Sequence, residues 1–367
     1  MKTLPIVGSY QREDCQFLLE LVEAKYLSIE EKEKAIQSGT VHYSDVLNKE
    51  AAPSEDYQAL FYQFVEDYKY KFSKHVMELA STLDKNRRGD ITLLSLARAG
   101  TPIGVLLKRA LEEHYNRKVQ HFSVSIIRDR GLDLNALDYL VEDLNVNQES
   151  IAFIDGWTAK GVITRELYQS INTYNAENNT RIPNELYVIS DCGGWADYSA
   201  TAEDYPIPSS MLNSTVSGLI SRSIWQPRES NKFHGCSKYK ELSEVDCSNW
   251  FVDQISSLFP YVKIKEVGEI FQPTSQQLRS SQQSSMKRFI DDIMCRYGIS
   301  DVNHIKPGVA EATRVMLRRV PELLIIRSMK SEKVQHLITL AKEKNVNISV
   351  ETSLLFEACA LIKQLKK

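Results

Sequence analysis

The chain has 367 residues, 43% hydrophobic and 25% charged, with a formal net charge of −3. That balance supplies a substantial buried core and excludes a disordered, collagen-like or disulfide-stapled chain. The overall charge carries no sign of a polyanionic or membrane partner, and no apolar run approaches the roughly 20 residues of a spanning helix.

The N-terminal stretch MKTLPIVGSYQRED lacks a long apolar stretch and a small-residue cleavage site, so a cytoplasmic location is expected. The six cysteines are scattered, with no Cys-x-x-Cys pair and no zinc spacing, and read as reduced thiols. Charge is uneven along the chain. Residues 301–367 hold 12 Lys and Arg against 7 Asp and Glu, a net of +5, which leaves −8 for the first 300. A basic segment on an acidic body points to a module that meets a polyanion, or to a solvated face.

Residues 1–85 are predicted as a helical N-terminal extension packed on the main domain. QFLLELVEAKYL has helical apolar spacing, and IEEKEKAIQSG ends in a glycine stop. In the long periodic stretch from Tyr57 to Leu83, the aromatics Tyr57, Phe61, Phe64, Tyr68 and Phe72 recur every three or four residues, marking a buried face.

Over 86–271 the pattern alternates. DITLLSLARAG, KVQHFSVSI, ESIAFID and NELYVISD read as strands. TPIGVLLKRALEEHY, LNALDYLVEDL and VITRELYQSINTYN read as the helices between them. This rhythm predicts an α/β fold with a parallel sheet and right-handed crossovers, whose ligands sit at the carboxyl ends of the strands. The loops after Leu96, Ile126, Asp155 and Asp191 are therefore the places to search. The Ser/Thr/Pro-rich stretch 203–227 is expected to be a functional loop or lid. Residues 272–298 read as a helical connector ending at Gly298. Residues 299–367 read as a small α/β domain that closes with a helix over SLLFEACALIKQL.

The strongest chemical signal is IAFIDGWTAKGVITREL, a strand, a small-residue turn and a helix start. Such a turn offers backbone N–H groups at a positive helix end, which suits phosphate. Thr158, Lys160 and Thr164 add hydroxyl and ammonium groups, and Asp155 stands ready for sugar hydroxyls or a metal. In SLARAGTPIG, Arg98 suits a diphosphate. Arg128 and Arg130 fit an anionic ligand or a solvated loop. In the basic tail, Arg314, Arg318 and Arg319 project from one side of a helix behind Lys306 and Gly308. They suit a phosphate backbone, or ion pairs with Glu311 and Glu322. Cys192 in SDCGGW, with His234 as base and Asp191 or Asp204 as orienter, composes an alternative acyl-transfer site. Forty-two residues apart, they have no intrinsic pairing signal and read first as a packing thiol and a capping histidine.

IAFIDGWTAKGVIT resembles the phosphoribosyl-diphosphate (PRPP) loop of type I phosphoribosyltransferases. SLARAGTPIG resembles their pyrophosphate loop, and SIIRDRGLD stands in the place of their hood segment. Over nearly its full length the chain resembles bacterial proteins of tellurite-resistance stress clusters. These join a phosphoribosyltransferase-like region to a C-terminal Pelota-type RNA-binding domain, carried here by KPGVAEATRVMLRRVPELLIIRS and LITLAKEKNVNISVE. The resemblance implies a PRPP-dependent transferase acting with Mg²⁺ on a base-like or nucleoside-like acceptor. It assigns Thr158, Ala159, Lys160 and Gly161 to the 5′-phosphate and Asp155 to ribose and metal. The diphosphate falls to Ala97, Arg98, Ala99 and Gly100, with Gly156, Thr164, Arg128 and Arg130 around the substrate. Lys306, Gly308, Arg314, Arg318 and Arg319 are implied for RNA. The same family also carries the name cysteine protease StiP, the reading that would employ Cys192 and His234. Gly156 stands where typical PRPP loops place a second acid, and Ala310 where Pelota-type readers place an asparagine.

Overall fold

A computed structural model describes residues 4–263 and 276–364. The start of the expected connector, 272–275, lies outside the described residues.

The N-terminal segment departs from its helical expectation at once. Cys15, Phe17, Leu18 and Leu19 are all fully buried, which an amphipathic helix with a wet face does not permit. Here β1 (Gln16–Leu18) and β2 (Glu20–Leu21) form instead, and β1 lies parallel to β4 (Val119–Ile127), with Gln16 opposite Phe122. Next, α1 (Ile29–Gln37) opens on a capping box between Ser28 and Glu31 and stops before Gly39 at φ +73°. The long α2 (Glu55–Asn86) is capped by Ser54, and its aromatic stripe faces inward as its spacing demands.

The main sheet collects β3 (Ile91–Ala97), β4, β5 (Gly131–Leu132), β6 (Ile151–Thr158), β7 (Leu186–Asp191) and β8 (Tyr198–Thr201). Its order is β1-β4-β3-β6-β7-β8, parallel throughout, with β5 antiparallel on β4. The crossovers are α3 (Thr101–Tyr115), α4 (Leu134–Asp138) running into a π-helical turn, and α5 (Val162–Asn178). Strand β6 continues through the expected turn as far as Thr158, because β7 pairs with it out to Asp191. The short β9 (Gly235–Cys236) pairs with β2, and α6 (Ser248–Ser256) packs on α2 and α3.

The stretch 203–227 is not a lid. Tyr205, Ile207 and Met211 are buried, and the Tyr57 hydroxyl donates to the Met211 carbonyl at 2.9 Å. Its apolar residues, interleaved with the Ser and Pro that suggested a loop, anchor it to α2.

The polar run from 276 belongs to α7 (Gln276–Tyr297), which ends before Gly298 at φ +61°. A small C-terminal sheet domain follows, with β10 (Ile305–Pro307), α8 (Val309–Arg318), β11 (Pro321–Ile326), α9 (Gln335–Glu343), β12 (Asn347–Val350) and β13 (Ala358–Ile362). Its order is β10-β13-β11-β12. The expected final helix is thus the interior strand β13, antiparallel to both neighbours, with all five residues buried. One hydrophobic core runs from α2 into α8 and α9, where Phe64 meets the His336 ring edge-on at 5.2 Å. The C-terminal domain is therefore packed against the main one rather than tethered to it. No helix of the described residues is long and apolar enough to cross a membrane.

Candidate functional site

The carboxyl ends of β3, β4 and β6 face the C-terminal domain across a cavity of about 310 Å³. The main sheet contributes Ala99, Arg128, Asp155 and the 157–161 loop. From α1 come Lys32 and Glu33, Arg222 enters from the 217–223 loop, and the C-terminal domain adds Lys306, Glu311, Arg314, Arg318 and Arg319. Eight basic side chains thus confront three carboxylates, Glu33, Asp155 and Glu311.

Local chain geometry explains the loop. Gly161 sits at φ +66°, and a side chain there would run into the Trp195 ring, so only glycine turns the chain into α5. Gly100 packs so tightly on the Ile154 carbonyl that a Cβ has no room. Between them, Asp155 ends the apolar run of β6, and its carboxylate accepts the Gly156 N–H at 2.7 Å. Burial pushes the Asp155 carboxyl up to about 7, against the pull of Arg314.

Several expected ligand groups are already engaged. Arg98, across a cis Ala97–Arg98 peptide, donates to the Ile220 carbonyl at 2.8 Å and pairs with Glu50 at 2.7 Å. It is buried and does not line the cavity, so the pyrophosphate role falls away from its side chain in this arrangement. Lys160 lines the cavity, but its ammonium donates to the Val302 and Ile305 carbonyls at 2.8 and 2.7 Å. It straps the loop to the C-terminal domain, and burial lowers its pKa far below that of a free lysine. Thr164 is buried in the first turn of α5, away from the cavity wall. Arg130 pairs with Asp45 at 2.6 Å and lies over the Trp225 ring, outside the cavity, whereas Arg128 remains in its wall.

The basic residues expected to face RNA turn inward. Lys306 pairs with Glu311 at 3.7 Å, Arg319 takes Glu33 through two bonds of 2.7 and 2.8 Å, and Arg318 donates to Asn213. Arg314 lies over the Trp157 ring at 4.6 Å, and the indole N–H donates to Glu311 at 3.2 Å. Gly308, at φ +90°, opens α8 beside Cys192 and Asp204. A helix face that reads as solvated in one dimension is here the inner face of a joint.

The Cys192–His234 pair does not form. Cys192 follows β7, and its thiol donates to the Thr158 carbonyl at 3.7 Å. His234 shares a 2.8 Å hydrogen bond with Ser125 on β4, with β3 and β6 standing between the two strands. Three strand spacings put about 14 Å of sheet between the groups. Asp191 is spent on the Gly193, Gly194 and Ala196 N–H groups, and Asp204 on those of Val309 and Glu357. Burial, then Asp204 and Asp191, raise the Cys192 thiol well above its ordinary value, and burial pushes His234 down to about 4. Neither shift makes a thiolate–imidazolium pair. Among the described residues no cysteine is hydrogen-bonded to a histidine.

Lys32, Glu33, Tyr43, Trp157 and Arg222 were not singled out in the sequence. Lys32 is buried, donates to the Val46 carbonyl at 2.6 Å, and is pushed down to about 6 by burial and then by Arg222 and Arg319. Arg222 stands over the Tyr43 ring and is lowered to about 10. The run IEEKEK gives no sign that Lys32 and Glu33, its first Lys and third Glu, face inward.

The residues present do not fit a magnesium ion held by the protein. Of the three carboxylates in the cavity wall, Asp155 has no ion pair, Glu311 and Glu33 are taken by Lys306 and Arg319, and no cluster of three metal-ligating side chains occurs among the described residues.

Two family models match the sequence, "Tellurite-like stress resistance cysteine protease StiP" over residues 8–256 and "PELOTA RNA binding domain" over residues 284–364. Cysteine protease StiP of Acinetobacter baylyi is 36% identical across 98% of this chain and 95% of its own. The chain belongs to the StiP family. Among solved structures, the hypoxanthine phosphoribosyltransferase of Trypanosoma cruzi matches 36% of this StiP-family chain and 77% of its own. That match is at 14% identity, with a TM-score of 0.27. The StiP-matched and Pelota-matched segments meet at the cavity, since its walls come from residues within both ranges.

Proposed function

We propose that the cavity binds phosphoribosyl diphosphate, or a sugar phosphate of that class, and that the chain transfers the phosphoribosyl group to a base-like or nucleoside-like acceptor. The observation that carries this reading is that five arginines line a cavity with three carboxylates, two of them already paired, around strand ends that terminate in a phosphate-suited turn. In the transfer, the bond from ribose C1 to the diphosphate oxygen breaks with its electron pair leaving on oxygen. A nitrogen lone pair of the acceptor takes its place. Such a transition state needs the departing charge neutralised more than it needs a nucleophilic side chain. The 158–161 turn suits the 5′-phosphate and Asp155 the ribose hydroxyls. Titration calorimetry with PRPP in the presence of Mg²⁺ tests the reading. Wild type is expected to bind, and Asp155→Asn to weaken binding. Absence of PRPP binding by wild type removes the proposal.

A second reading, cysteine proteolysis, is supported by the family description and by the name of the Acinetobacter relative. These comparisons speak for it more directly than for phosphoribosyl transfer. On this chain the strand-end thiol is Cys192, and its base would have to be a group other than His234. Iodoacetamide labelling against pH separates the readings. If Cys192 alkylates at neutral pH faster than the exposed Cys295, the thiol is activated and proteolysis takes precedence. A family-wide role in tellurite-type stress resistance is compatible with either chemistry, as is RNA binding by the Pelota-type segment.

A further inference from the structure

Arg314 makes no hydrogen bond and no ion pair among the described residues, although it lies between the two domains. Its guanidinium is fixed face-on over Trp157, and Glu311 holds that indole in place through its N–H. A planar fork with free donors on a rigid platform matches the two oxygens of a phosphate. One turn further along α8, Arg318 spends only its Nε, on Asn213. It also lines both this cavity and a second one of about 290 Å³ beside it, and Arg222 is likewise shared by the two. Arg98, Arg222 and Arg314 all repel Arg318, while the nearby carboxylates are Glu50, which Arg98 takes, and Glu311 and Asp155, which face Arg314. Like charges held this closely out of bulk water are costly, and an incoming anion relieves that cost.

We propose that Arg314 and Arg318 of the C-terminal domain, with Arg222, form a clamp for the diphosphate end of the ligand, neutralising it without a metal held by the protein. The inference rests on the phosphoribosyl reading for the ligand's other end, at the 158–161 turn. It assigns the C-terminal domain to the small-molecule site as a wall of it. It also takes Arg314 and Arg318 out of the set available to RNA, whatever the rest of the domain binds. The ligand class follows: a sugar bearing two separated phosphate groups, of which one is a diphosphate.

The test is calorimetry on the full chain with inorganic pyrophosphate and with PRPP, each in Mg²⁺ and in EDTA. Wild type is expected to bind pyrophosphate in EDTA. Arg314→Gln and Arg318→Gln are each expected to weaken it about 10- to 100-fold, the loss of a charge-assisted bond. Arg314→Lys keeps the charge but not the fork, so partial recovery is expected, and it covers the case in which a Gln variant fails to fold. Pyrophosphate binding unchanged in folded Arg314→Gln and Arg318→Gln variants overturns the clamp, as does wild-type binding that vanishes in EDTA. Wild type that binds pyrophosphate but not PRPP leaves the clamp standing and removes the phosphoribosyl reading instead.

Discussion

Asp204 is where the two domains are joined, and replacing it should show how much that joint contributes. Its Oδ1 accepts the Val309 N–H at 2.8 Å, at the start of α8, and its Oδ2 accepts the Glu357 N–H at 2.9 Å, just before β13. Asp204→Ala strands both donors in a half-buried joint. At about 1–2 kcal/mol for each donor left without an acceptor, the expected loss is about 2–4 kcal/mol. Asp204→Asn keeps one acceptor oxygen and should lose no more than about half of that. A pH arm separates charge from hydrogen bonding. Burial pushes the Asp204 carboxyl up to about 6, above its unfolded range near 4. A raised carboxyl contributes stability that is complete below the unfolded pKa and is lost as pH rises through the folded one. The advantage of wild type over Asp204→Asn should therefore shrink between pH 4 and pH 7. Urea unfolding followed by tryptophan fluorescence reads both effects. An Ala variant within about 0.5 kcal/mol of wild type, or an Asn variant as damaged as Ala, would refute the two-bond account.

Gly161→Ala should cost about 2–4 kcal/mol, from left-handed backbone at φ +66° and collision with Trp195. A thermal melt unchanged from wild type would contradict that. Phe72→Ala empties a fully buried ring position in α2 and should cost about 3–5 kcal/mol, checked by denaturant midpoint. Affinity for pyrophosphate, which has no ribose for Asp155 to hold, should rise as pH falls from 8.5 to 6.5. Lys32, pushed down to about 6, gains its proton more fully on that side, and Asp155, pushed up to about 7, loses its negative charge. Pyrophosphate calorimetry in buffers of different ionisation enthalpy should show proton uptake on binding, and a pH-independent affinity without uptake would count against both groups. Cys192 should label with iodoacetamide more slowly than Cys295 at neutral pH, as expected of a thiol whose pKa burial has raised.

Periodicity alone was enough for much of the fold. Strong helical spacing in α2, α3 and α5, and short apolar runs in β3, β4, β6 and β7, lead to a parallel sheet with its ligand loops on one edge. Chain neighbours within each element decide those patterns, so they are readable in one dimension. The 158–161 turn and Asp155 were legible for the same reason, being a strand end followed directly by a helix start. Tertiary structure decided the rest. Residues 16–21 and 358–362 read as helix, because continuous apolar runs look alike whether a helix or an interior strand buries them. Only the partners β4 and β9 for the first and β10 and β11 for the second make them strands. Arg314, Arg318 and Arg319 share a helix face in the sequence, but nothing local says whether that face meets solvent, RNA or another domain. The docking of α8 over the ends of β3 and β6 turns it inward and brings Lys32 and Arg222 to the same cavity, whereas the strand order keeps Cys192, just past β7, apart from His234, which is bonded to β4. Local spacing encodes which surface a helix presents, and long-range packing chooses what that surface meets.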